Sequence, residues 1–447
     1  MTTLLTVARM LRRRGSRAER SRSRLMATGA ALATVFLLAA LNVLILHGRL
    51  DERLGPVGDP GTRDGTAFAL ALMLLPVAAF LHQSGRLATA DRERRLSALR
   101  LAGATPREVR LLGAIEMTGT AVLGTVAGAA GYLLVQWAAR RLLLDPGSGL
   151  DVNVPPLPAL VAMATVVGTA AVSGLLAGRH VVTSPLSVTR RANRRPPHWY
   201  GLVLIVLPSV VMYAGWLAEA AGLPYLRSIS AGLILGGGAA TLIGLLHSAS
   251  RLIWSFARMT GHRARSAETL IAARALESDP RAWGRTLSVV GLAVAIGTGT
   301  GWIEAEIMAT RDGLEPFWLT SFVLVDLATL VGMVVAAAAL RVHQAEYLLE
   351  QGPLLANLRA IGTSERELRR VLTRQALIAS APVCVIAALT GLIAMGRASR
   401  MNTAWAVLPV AQALFMAGAG MLAAVTVAAA SRRRLRRAIA PERLRTE

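Results

Sequence analysis

Long apolar runs alternate with short polar ones along the whole chain, and most of the runs are too long to be one buried face of a soluble helix. Crossing a hydrocarbon layer takes about 20 mostly apolar residues. Ten runs meet that length, at approximately 26–47, 66–83, 110–137, 157–178, 199–220, 228–247, 285–303, 317–340, 374–396 and 404–430. The pattern predicts an all-α polytopic membrane protein with ten transmembrane helices. The first run follows the basic start "MLRRRGSRAERSRSR" and has no convincing small-residue cleavage site, so it reads as a signal anchor. Pro76, Pro208, Pro382 and Pro409 fall inside runs and predict kinks. Gly124/Gly128, Gly174/Gly178, Gly232/Gly236 and Gly297/Gly301 form small-xxx-small pairs, a spacing that lets two helix backbones approach closely.

The polar segments contain a repeat. "LRLAGATPREVR" occupies 99–110 and "LRAIGTSERELR" occupies 358–369, with Leu99, Arg100, Gly103, Arg107, Glu108 and Arg110 matching Leu358, Arg359, Gly362, Arg366, Glu367 and Arg369. Each phrase follows the second span of a four-span block and precedes the third. A fainter echo, "LTVARML" (5–11) and "LIAARAL" (270–276), precedes each block. The predicted arrangement is therefore 4+2+4. Residues 1–25 form a basic N-terminal helix and 26–180 the first repeat. Residues 181–255 form a linker carrying spans five and six. A juxtamembrane helix and the second repeat occupy 256–430, and 431–447 form a basic tail. With an even number of spans per block, the repeats are parallel about a pseudo-twofold axis along the membrane normal.

Each phrase also predicts its own local structure. In "DRERRLSALRLAG" the apolar Leu96, Leu99 and Ala102 recur at helical spacing, and Gly103 ends that helix. "ATPREVRLL" then starts another, with Thr105 as N-cap, Pro106 at the first helical position and Glu108 three residues on. Ser364, Glu365 and Glu367 take these places after Gly362. The result is a short helix, a glycine break, and a capped helix running into the membrane.

Charge orients the map. The 447 residues are 54% hydrophobic with a mean hydropathy of +0.50, yet the net charge is +23. Every one of the 49 basic residues is Arg. With the N-terminus in the cytoplasm, about 37 of them lie in cytoplasmic segments, about nine in external loops and about three at span boundaries. Both termini are thus expected in the cytoplasm of a multi-pass cell-membrane protein. The absence of Lys excludes a Walker A loop and Schiff-base chemistry. The single Cys384 excludes an internal disulfide and a cysteine metal site. The Arg runs "RRANRRPPH" and "SRRRLRRA" flank spans without interleaved aromatics, which fits contact with anionic membrane lipids and not nucleic acid. Neither H-E-x-x-H nor G-x-S-x-G occurs, and the seven His are scattered, so no catalytic or metal centre is expected.

The segments "RRLSALRLAGATPREVRLLGAIE" and "LLANLRAIGTSERELRRVLTRQ" resemble the signature of FtsX/MacB-like ABC transporter permeases. In that family this stretch joins the second and third helices of a four-helix unit and contains the coupling helix that docks on a cytoplasmic ATPase. Ten spans as 4+2+4 further resemble the BceB-like subgroup, in which one chain supplies the whole permease. The resemblance implies Leu96, Leu99, Arg100 and Gly103, with Leu355, Leu358, Arg359 and Gly362, as ATPase-coupling residues. Arg107 and Glu108, with Arg366 and Glu367, belong to the same set. It also implies a separate ABC ATPase, in two copies, that binds the ATP and Mg; this chain holds no cofactor. Many family members carry a large external domain, whereas the loops 48–65 and 304–316 are too short to form one.

Two carboxylates fall at membrane depth, where ionisable groups default to function. Asp326 lies near the middle of its span, as a contact for a cationic substrate group or a partner of an Arg. Glu116 lies a turn or two inside the third span, and its counterpart in the second repeat is Gln375. The leading expectation is a permease that exports or extracts an amphipathic or lipid-like compound or an antimicrobial peptide. The alternative is a mechanotransmitter signalling to an external partner or a two-component sensor. A third reading is a secondary transporter using Asp326 for proton coupling.

Overall fold

The computed structural model describes residues 17–46, eight positions between 63 and 81, 103–143, 155–183, 196–221, 224–310, 316–394, 407–431 and 435. Among the described residues every regular element is a helix. In chain order these are α1 (Arg17–Ile45), α2 (Pro106–Leu143), α3 (Pro156–Thr183), α4 (Tyr200–Ala220) and α5 (Pro224–His262). There follow α6 (Ala267–Ser278), α7 (Pro280–Thr310), α8 (Pro316–Glu350), α9 (Gly352–Ala360), α10 (Glu365–Ala394) and α11 (Val407–Ala430).

Eight of these, α1 to α5 with α8, α10 and α11, are long and apolar enough to cross a membrane. Their outer surfaces carry large apolar side chains, among them Leu133 and Leu134 on α2, Leu207 and Val210 on α4, and Leu414 and Phe415 on α11. A water-soluble monomer rarely exposes such continuous patches. Lipid is the solvent that suits them. The predicted span 66–83 lies mostly outside the described residues, although its described positions are helical. The run 285–303 lies within α7, which is not among the eight; from Leu287 to Val294 its side chains are enclosed by protein.

The chain divides into two compact units, one of residues 1–190 with 315–324 and the other of 191–314 with 325–447. In the first unit α1, α2 and α3 pack together, and Leu74, Val77 and Leu81 from the second predicted span join the core of Ala30, Ala33, Ala121, Val166 and Ala170. Small residues on all sides let these helices approach. A Cβ on Gly124 or Gly128 would run into the α1 backbone at Ala27 or Ala31, so this pair makes the close contact that its spacing predicts. Gly174 similarly meets α2 at Ala114.

In the second unit α7 is the central helix, packed by α5, α10 and α11, while α10 also touches α4 and α6. At Gly232 and Gly236 an added Cβ would meet nothing within 4 Å among the described residues. The α4–α5 contact uses Gly237 against Pro208 and Met212, and Gly244 against Leu204. Gly297 faces Thr329 and Met416, and Gly301 faces Gln412. Pro208 and Pro382 lie inside α4 and α10, whereas Pro409 sits in the first turn of α11, where no intrahelical bond is lost.

Candidate functional site

The repeated phrase builds the same backbone twice. Gly103 and Gly362 have φ of +98° and +107°, and among the described glycines only these two are left-handed. The left-handed region is open to glycine and costly for a residue with a Cβ. After each glycine a capping box starts the next helix. The Thr105 backbone N–H and hydroxyl donate to Glu108 Oε2 at 2.8 and 2.9 Å, and the Glu108 N–H donates to Thr105 Oγ1 at 3.3 Å. These bonds hold the Glu108 carboxyl below its ordinary value of 4.5, the backbone bond contributing most. In the second copy the Ser364 N–H and hydroxyl donate to Glu367 Oε2 at 2.7 and 2.9 Å, and the Glu367 N–H returns a bond to Ser364 Oγ at 3.2 Å.

The helix before the glycine is described in the second copy only; Leu96, Leu99 and Arg100 lie outside the described residues. There α9 ends in a Schellman motif. Thr363 N–H donates to the Leu358 carbonyl and Gly362 N–H to that of Arg359, both at 3.1 Å. The Arg359 side chain adds a bond from Nη1 to the Thr363 carbonyl at 3.3 Å. Two helices are thereby joined by a turn closed by these bonds.

The faces of this knuckle are distinct. Leu355 is 7% exposed and packs with Leu348, Leu368, Leu372 and Leu435, and Leu358 lies half-buried against the same cluster. The face turned away from the cluster shows Leu354, 57% exposed, and the tip shows Ile361, 84% exposed. Arg359, Arg366 and Glu367 are exposed, as are Gly103 and Arg107 in the first copy. Leu354 and Ile361 were not among the residues the sequence singled out. Their signal, two large apolar residues offset from the Leu355/Leu358 face, needs the position of the covering cluster to be read.

The two carboxylates that the sequence places at membrane depth differ in their surroundings. Glu116 is half-buried in the third turn of α2, and its backbone carbonyl accepts a bond from Thr120. Its counterpart Gln375 is fully enclosed and donates to the Tyr347 hydroxyl at 3.0 Å. Trp283 stands edge-on to Tyr347 and His343 in the same layer. Asp326 is exposed on α8, and no Arg among the described residues lies within ion-pair distance of it.

Known proteins place this geometry. The model of the FtsX-like permease C-terminal family matches residues 67–186 and again 327–438, just over half of the chain. Each match contains one copy of the glycine-centred phrase, so the internal repeat is a repeat of one family unit. No curated protein matches the chain. Together with helices built to cross a bilayer, the double match makes this multi-pass membrane protein a member of the FtsX-like permease family, the ABC transporter permeases that associate with a cytoplasmic ABC ATPase.

Proposed function

We propose that this chain is the whole membrane subunit of an ABC exporter or extractor, with ten spans in a 4+2+4 order and both termini in the cytoplasm. Its cargo is an amphipathic or lipid-like compound, an antimicrobial peptide included. Two copies of the partner ATPase bind the ATP and Mg, one against each knuckle. The observation that carries the reading is the double family match with a glycine-centred knuckle in each half. In the second knuckle Leu354 and Ile361 supply exposed apolar contacts, and Arg359 and Arg366 supply charge beside them. Leu355 and Leu358 act behind that surface, by seating α9 on the membrane helices.

Transport is favoured over signalling by the space outside. Between α7 and α8 only residues 311–315 remain, so the second unit offers no external domain with which to grip a hydrolase or a sensor. The experiment is pull-down of the ATPase by the full-length chain, with cargo-stimulated ATP turnover. Leu354→Asp and Ile361→Asp should abolish both while leaving thermal unfolding unchanged. Leu355→Asp should instead lower stability by about 3 kcal/mol or more, because it puts a charge into an apolar cluster. Normal pull-down and turnover with Leu354→Asp and Ile361→Asp would overturn the coupling assignment.

A further inference from the structure

Beside the knuckle, the first turns of α10 hold a basic cleft that shares only Arg366 with the proposed coupling surface. Arg366, Arg369, Arg370 and Thr373 line it. Their spacing puts all four on one helix face. The neighbouring acids are already committed. Glu268 on α6 binds Arg374 at 2.8 Å and Arg370 at 3.3 Å, and Arg374 is further held by Ser266 and by Thr269. Glu367 closes the capping box on Ser364. Among the described residues no carboxylate lies within ion-pair distance of Arg366 or Arg369. Moreover, Nε of Arg369 is buried with no acceptor.

Arg366 and Arg369 present two forked guanidiniums on this face, with Arg370, shared with Glu268, beside them, and such a set suits an anion with several oxygens. Phosphate has that shape, and Arg binds it through two parallel bonds. The cleft ends about one helical turn before the apolar stretch of α10 that begins at Ala376. For a span beginning at residue 374, as the sequence predicts, that is the depth of lipid headgroups. The first repeat lacks the set: at the corresponding positions stand Arg107, Arg110, Leu111 and Ala114.

We propose that the Arg366–Arg369–Arg370–Thr373 cleft binds a phosphate group, carried by the headgroup of an anionic lipid. The site belongs to the second repeat alone and does not depend on the transport reading.

The test is native mass spectrometry of the full-length chain in neutral detergent, titrated with phosphatidylglycerol or phosphatidylcholine. The parent should retain phosphatidylglycerol selectively and saturably. The double variant Arg366→Gln/Arg369→Gln should bind it at least about tenfold more weakly, since each lost contact is a charge-assisted bond. Arg263→Gln, an exposed Arg outside the cleft, should bind as the parent does. Inorganic phosphate at millimolar concentration separates the two sources. Failure to displace the lipid supports a headgroup site, and full displacement supports a site for free phosphate. Should the double variant unfold, Arg366→Gln alone gives the same reading with a smaller shift. Unchanged lipid selectivity in a folded variant, or loss of ATPase pull-down with lipid binding intact, would overturn the proposal and assign the cleft to a protein surface.

Discussion

The two repeats keep one turn and differ in the helix that leaves it. Gly103 and Gly362 share a left-handed backbone, and Thr105/Glu108 and Ser364/Glu367 make the same three cap bonds. Past the cap, α2 and α10 diverge at matched positions. Leu111 and Ala114 on α2 correspond to Arg370 and Thr373 on α10, Glu116 to Gln375, and Gly124 to Val383. The close contacts diverge with them. In the first unit the glycine lies on the helix after the turn and meets Ala27 on α1. In the second, Val383 occupies that place and the glycine that receives it, Gly291, is on α7. A turn is specified by a few residues that bond to each other, so it survives duplication unchanged. A helix face is specified by its neighbours, and among the described helices α10 packs against more partners than α2 does.

The comparison breaks most severely at the helix contact. Gly124→Val and Gly128→Val should each destabilise the first unit by at least about 1–3 kcal/mol, because the added side chain meets α1 backbone and not a movable side-chain end. Gly232→Ala and Gly236→Ala, where an added Cβ meets nothing within 4 Å among the described residues, should leave the unfolding temperature unchanged. Equal losses from both sets would mean that small residues serve the bilayer generally and not one contact.

At the turns the expected effect is smaller and should be symmetric. Gly103→Val and Gly362→Val place a β-branched residue at positive φ, a strain of about 1–2 kcal/mol each. Both variants should insert normally and lose cargo-stimulated turnover with the ATPase present. A loss confined to one would show that a single knuckle carries the coupling.

The smallest effect is at the caps. Thr105→Ala and Ser364→Ala should cost about 1 kcal/mol or less and raise amide exchange in the first turns of α2 and α10. The Glu108 carboxyl is held below 4.5 in the folded chain. Its contribution is therefore present above that ordinary value and is lost as pH falls through the lowered one. Amide protection at the start of α2 should follow the same course in a pH series, and protection that rises on acidification would contradict the cap.

What the sequence made legible follows the same division. The left-handed glycines and both capping boxes were readable because their chemistry is local: a glycine, then Thr or Ser, then Glu three residues on. The orientation of α9 was not. Leu354 and Leu355 are adjacent and equally apolar, and which of them is covered depends on Leu368, Leu372 and Leu435 from later in the chain. The basic cleft was hidden for a related reason. The sequence assigns Arg366 to ATPase coupling, and grouping it with Arg369 and Arg370 requires Glu268, about a hundred positions earlier, which Arg370 and Arg374 share.

The seam between α1 and α2 also sets an order of events during synthesis. Ala27 and Ala31 on α1 are matched by Gly124 and Gly128, nearly a hundred residues later in the chain. At about 5–20 residues per second, the ribosome needs several seconds to extend from the end of α1 to the end of α2. Through that interval α1 is in the bilayer without its partner, showing a face of small side chains that lipid tails fill poorly. A nascent chain arrested before Gly124 has left the exit tunnel therefore holds an unmatched α1, the stage at which insertion factors and membrane quality control have their clearest target.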